Sequence, residues 1–123
     1  MTNQIKRRIW VTFKLEGIHC YPDAATNTAL ADVQFLSYPH RHMFGFKVSI
    51  EVQHANRDIE FIQFKRWLLS LYSTMLVLNG KSCETIAEEL ISKIQTKYPR
   101  RSISVSVNED EENGCELEYN DTN

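Results

Sequence analysis

Three histidines in this chain stand where their side chains can share one face of a sheet. His40 and His42 are one residue apart in HRHMFGFKVSIEV (His40–Val52). Side chains alternate across a strand, so these imidazoles point the same way as Phe44, Phe46, Val48, Ile50 and Val52. His19 closes an earlier run in which Ile9, Val11, Phe13 and Leu15 alternate with Thr12, Lys14 and Glu16. It keeps the parity of that apolar face, provided Gly17, a candidate bulge, does not shift the phase. A neutral imidazole on an apolar face needs a hydrogen-bond partner, and three aimed at one place cannot satisfy one another. Zn²⁺ resolves that conflict, because it accepts neutral imidazole nitrogens. A three-histidine set also leaves a fourth position open for water or substrate. The competing reading is that these are ordinary surface or buried structural histidines, which a lone HxH pair also fits.

The elements that must position these residues can be read from periodicity. Strands are expected over residues 8–19 and 40–52, joined by a long connection (20–39) that carries Pro22, Asp23, Asn27 and Pro39 and has no clean period. A helix is expected from Glu60, its stripe formed by Phe61, Phe64, Leu68, Leu71 and Met75. Asn79-Gly80 ends that helix or the loop after it. Ser82 is a candidate N-cap for a second helix, whose buried stripe is Ile86, Ala87, Leu90, Ile91 and Ile94 and which Pro99 stops. Ile103, Val105 and Val107 alternate with serines in a third strand. Asn113-Gly114 signals a hairpin turn into a fourth strand holding Leu117 and Tyr119. The expected order is β-β-α-α-β-β, an α+β fold with an antiparallel sheet and both helices packed on one face.

The chain has 123 residues, which suits a single domain (1–123) with a core over about residues 8–119 and a frayed tail at 120–123. A formal net charge of −2 gives no field for nucleic acid or an anionic membrane. No charged-then-apolar leader opens the chain, and no apolar run approaches the roughly 18 residues of a membrane span. The three cysteines (Cys20, Cys83 and Cys115) lack CxxC spacing, which argues against a disulfide framework. The expectation is a cytoplasmic protein with reduced thiols.

Taken in order, several segments resemble the 6-pyruvoyl-tetrahydropterin synthase and 6-carboxytetrahydropterin synthase superfamily. FKLEGIH (Phe13–His19) is similar to a first strand ending in a zinc histidine, and HRHMFGFKVSI to the HxH strand. IEFIQFK (Ile59–Lys65) and SCETIAEEL (Ser82–Leu90) resemble the openings of the two helices, and VSVNEDEENG (Val105–Gly114) the third strand. The resemblance spans about residues 9–119. It implies the tunnelling fold, Zn²⁺ on His19, His40 and His42, and a pterin- or guanine-like substrate. That substrate's amino-pyrimidine edge would rest on Glu109, with Ser82, Cys83 and Glu84 around it. Parity with Ile103, Val105 and Val107 also turns Glu109 inward, and a carboxylate accepts two parallel N–H bonds well. The rest of the acidic run Glu109–Glu112 reads as solvated hairpin. The resemblance further implies assembly into trimers or hexamers.

The chain departs from that family where acid–base chemistry is concerned. Leu36 stands where the family has its catalytic cysteine, and LYSTMLVLNG (Leu71–Gly80) holds neither the aspartate nor the histidine of the family's proton-transfer pair. Cys20, next to His19, and Cys83, at a helix start that can lower a thiol pKa, are the weak candidate replacements. His54 reads as an exposed turn residue. Two readings follow: a zinc-dependent lyase with non-standard acid–base groups, or a degenerate member that captures a guanine-like metabolite or nucleotide without turnover.

Overall fold

The computed structural model describes residues 5–72 and 76–121. Two long strands, β1 (Arg7–Cys20) and β2 (His40–Val52), pair antiparallel along their length, from Arg7 opposite Val52 to His19 opposite His40. The register carries no bulge, and Gly17 lies directly across from His42. Gly17 is needed for space instead. A Cβ there would come within 2.8 Å of the Phe44 ring, so any side chain would displace it.

α1 (Phe61–Ser70) is capped by Glu60, whose carboxylate accepts the N–H groups of Ile62 and Gln63. α2 (Cys83–Lys97) opens at Ser82, whose hydroxyl accepts the Thr85 N–H. β4 (Ile103–Glu109) pairs antiparallel with β2, and β5 (Asn113–Tyr119) with β4.

The expected fold class needs correction. Leu76–Asn79 forms a further strand, β3, between the helices, and it runs parallel to β1 over Gly17–Cys20. The sheet has five strands in the order β3-β1-β2-β4-β5. The described elements therefore run β-β-α-β-α-β-β, and the β-β-α-α-β-β antiparallel sheet of the tunnelling fold does not hold. The physical reason is that four residues, apolar at Leu76, Val77 and Leu78, are too short a run to show the period of a strand. LVLN therefore looked like the end of a helical stripe. α1 in fact stops at Ser70, its buried residues are Phe64 and Leu68, and Phe61 is exposed. Met75 lies outside the described residues, as do Thr122 and Asn123 of the tail. Asp121 is tied down by its N–H, which donates to the Ser102 hydroxyl.

The last hairpin is also turned differently. Asp110 and Glu111 hold left-handed backbone with φ of 56° and 62°, and Asn113-Gly114 already belongs to β5. Gly114 serves a close approach, because a Cβ on it would run into the Val107 carbonyl oxygen.

One core joins Val11, Phe13, Phe46, Val48, Ile50 and Val105 of the sheet to Phe64, Leu68, Leu90 and Ile94 of the helices. Each such side chain contributes roughly 1.5–3 kcal/mol on burial. Phe13 and Phe46 stack with ring centroids 4.6 Å apart. The connection over 20–39 winds through 3-10 turns at Pro22–Ala25 and Thr28–Ser37. Its base is closed by the Tyr21 N–H donating to the Leu36 carbonyl at 2.6 Å. Among the described residues, no helix is long and apolar enough to cross a membrane.

Candidate metal centre

The β1–β2 register brings His19 and His40 face to face and sets His42 one pleat further along, on the side occupied by Phe44. The three rings pack edge-on, with centroids 4.5 Å apart for His19–His40, 4.8 Å for His40–His42 and 5.3 Å for His19–His42. One ligand nitrogen from each lies within 4.8 Å of the others, so the group could hold a metal ion.

Every ring is steered through its Nδ1. That atom lies 3.1 Å from the Lys81 carbonyl in His19, 2.8 Å from the Tyr38 carbonyl in His40 and 2.6 Å from the Asp110 carboxylate in His42. Carbonyl and carboxylate oxygens accept, so each Nδ1 carries the proton and donates. Nε2 is thereby left as the atom through which each ring, in its neutral form, would bind a metal. Acceptors behind each ring are the usual way a protein orients metal-binding imidazoles. Burial lowers the His19 pKa below its ordinary value, which favours the neutral form a metal requires.

The strongest sign that something is missing from the protein's own hydrogen bonding is at His40. Its Nε2 is, among the described residues, the buried side-chain polar atom with no hydrogen-bond partner. Leaving such an atom unpaired costs about 1–3 kcal/mol.

Glu109, at the end of β4, reaches into the same place. Its Oε1 is 3.2 Å from His19 Nε2, and its Oε2 is 3.4 Å from His42 Nε2. Asp110 was not anticipated, since the acidic run read as solvated apart from Glu109. Its left-handed backbone turns it toward β2. There one carboxylate oxygen accepts from His42, the other accepts the Met43 N–H at 2.8 Å, and its own N–H donates to the Met43 carbonyl at 2.8 Å. The hydrogen bond from His42 holds the Asp110 carboxyl below the usual carboxylate range, with the Met43 N–H adding to it. An aspartate directly after a strand could have flagged this, because Asp is among the few residues that tolerate left-handed backbone.

A cavity of about 560 Å³ opens beside the histidines, with His19, His40, Leu36, Cys20, Cys83 and Glu109 on its walls. Ser82 and Glu84 line it too, although the Ser82 hydroxyl is committed to capping α2. Cys83 is buried and donates its thiol to Glu109 at 3.7 Å. Burial, with Glu109 adding to it, pushes its pKa up to about 12. The expectation that the helix start lowers this pKa is thus reversed, because desolvation outweighs the helix end and Cys83 stays a thiol near neutrality. Cys20 reaches the cavity despite its opposite parity, and Gly80 donates its N–H to the Cys20 carbonyl. Cys115 sits half-buried in the last hairpin opposite Val107, and His54 is exposed.

A scan against protein-family models gives no match, and a search of the curated proteins gives none. Among solved structures, the chain is similar to an uncharacterized protein from Wolinella succinogenes. The two are 13% identical, the match covers 92% of this chain and 98% of that one, and the TM-score is 0.66. At that identity the likeness concerns the fold alone.

Proposed function

We propose that this chain binds Zn²⁺ through His19, His40 and His42 and receives a pterin- or purine-like ring in the adjoining cavity. The observation that carries this reading is the orientation of the rings. Three imidazoles have their Nδ1 protons committed outward, the Nε2 atoms of His19 and His42 face Glu109, and His40 Nε2 is buried without a partner. Zinc suits a donor set of neutral imidazoles. The cavity falls in the range of roughly 300–1,000 Å³ that small ligands occupy. Glu109 on its wall suits the paired N–H groups of an amino-pyrimidine edge. The proposed kinship with the 6-pyruvoyl-tetrahydropterin synthase and 6-carboxytetrahydropterin synthase superfamily rests on this donor set and carboxylate.

Capture without turnover is the favoured form of the proposal. Leu36, on the cavity wall where the resembled family has its cysteine, cannot move a proton, and Cys83 is held as a thiol. A zinc-dependent lyase is the second reading, favoured by Cys20 on the same wall. We further propose a cytoplasmic homo-oligomer in multiples of three. Among the described residues, the outer edge of β5 pairs with no strand, and open edges are normally covered.

Calorimetric titration of the chelator-stripped chain with Zn²⁺ tests the metal. The proposal expects one ion per chain, lost in His40→Ala. Guanine or pterin added to the zinc-loaded protein tests the ring, with binding expected in the wild type and absent in Glu109→Ala. A wild-type chain that takes up no zinc contradicts the proposal.

A further inference from the structure

We infer that Glu109 is a fourth donor to that metal, closing the centre with protein until a ring ligand draws the carboxylate away. The inference rests on the metal reading above and departs from the open three-histidine site that the HxH pattern suggests.

Distances carry the first part. Donor atoms around a tetrahedral zinc with bonds near 2.0–2.1 Å sit roughly 3.3 Å apart. The two Glu109 oxygens lie 3.2 Å from His19 Nε2 and 3.4 Å from His42 Nε2. Each carboxylate oxygen thus stands at co-ligand spacing to one ring, Oε1 to His19 and Oε2 to His42, so a small rotation of the side chain brings one of them to the metal.

Hydrogen-bond chemistry carries the second part. The Nδ1 of each ring donates to a fixed acceptor, which leaves Nε2 as the atom that faces Glu109. A carboxylate has lone pairs only, so this close approach calls for a positive charge between them, either a proton on the ring or a metal ion. Among the described residues, no lysine or arginine pairs with Glu109. Its remaining partner is the weakly donating Cys83 thiol at 3.7 Å. The β2–β4 ladder places Glu109 opposite Phe44, one pleat from His42, so the carboxylate is presented by a rigid strand end.

One carboxylate cannot hold the metal and the paired N–H groups of a ring at the same time. Ring binding therefore frees a coordination position, and by linkage the metal and the ring compete for Glu109.

The test uses Co²⁺ in the chelator-stripped full chain, followed by its visible spectrum and by competition with a chromophoric chelator. The wild type is expected to show the intense bands of a four-coordinate ion, unmoved by added azide. Glu109→Gln is expected to bind Co²⁺ more than about 100-fold more weakly, beyond the usual effect of an outer-shell change, with weaker bands that shift on azide. Glu109→Asp, which keeps the carboxylate, is expected to fall between them, and it supplies the comparison if the glutamine variant does not fold. A Glu109→Gln spectrum and affinity equal to wild type, or wild-type bands that shift with azide, overturns the fourth-donor role and leaves the three-histidine site standing. Failure of the wild type to take up Co²⁺ overturns the metal reading and this inference together.

Discussion

The two ends of β2 carry polar clusters of opposite character. Beyond Val52, Asp58 and Arg101 form an ion pair at 2.6 Å with side chains 15% and 13% exposed. The Gln53 N–H donates to Asp58, and Arg101 donates to the Glu51 carbonyl. The Ser102 N–H donates to the Glu51 carboxylate, so the cluster stitches the end of β2 to the start of β4. Donors meet acceptors, and the cluster is complete within the protein. At the His40 end, the donors point outward to Lys81, Tyr38 and Asp110, while the inward side gathers lone pairs and a carboxylate. The first arrangement stabilises the fold without help. The second is stable only with a cation or a proton among its acceptors.

That contrast can be broken most forcefully at the metal end. His19→Ala or His40→Ala should weaken Zn²⁺ binding by more than about 100-fold, beyond the usual effect of an outer-shell change, as read by chelator competition. Thermal unfolding of the metal-free variants should change little by comparison. Asp58→Ala should do the reverse. It leaves Arg101 unpaired in a half-buried setting, with an expected loss of about 3 kcal/mol of stability in denaturant unfolding. Zinc affinity should stay within twofold of wild type, and a shared loss in both assays would dissolve the distinction.

Asp110→Ala sharpens it. With the His42 ring freed from its acceptor, zinc affinity should fall roughly 10- to 100-fold. An unchanged affinity would show that Asp110 serves only the turn.

The smallest effect concerns acid. The Arg101 hydrogen bond, with the Gln53 N–H, holds the Asp58 carboxyl below its ordinary range. A depressed folded-state pKa means that this stability is fully present above the unfolded value of about 3.9 and drains away as pH falls through the lower folded value. Unfolding midpoints followed downward from pH 5 should therefore decline more steeply in the wild type than in Asp58→Asn. Parallel slopes would contradict the assignment.

The parts of this picture that alternate were legible in the sequence. Period-2 patterning put His40 and His42 on the face of Phe44 and Val48, and His19 on that of Val11 and Phe13, and the register brings them together. Ser82 was readable as a cap because its chemistry is local. What escaped was non-local. Parallel pairing of Leu76–Asn79 with the end of β1 leaves no alternation to detect in four residues, and missing it gave the wrong fold class. Asp110 looked solvated because its role depends on left-handed backbone at a hairpin whose turn falls three residues before the Asn-Gly signal. The raised Cys83 pKa depends on burial against Glu109, a residue 26 positions away.

The central claim is that the histidine end of the sheet is built to hold a metal. Native mass spectrometry of protein purified without added metal or chelator tests it most directly, since metal, subunit number and any retained ligand are weighed together. The account predicts one divalent ion per chain, absent from His40→Ala, in an assembly whose subunit count is a multiple of three. A metal-free chain that gains no mass when Zn²⁺ is added would contradict it.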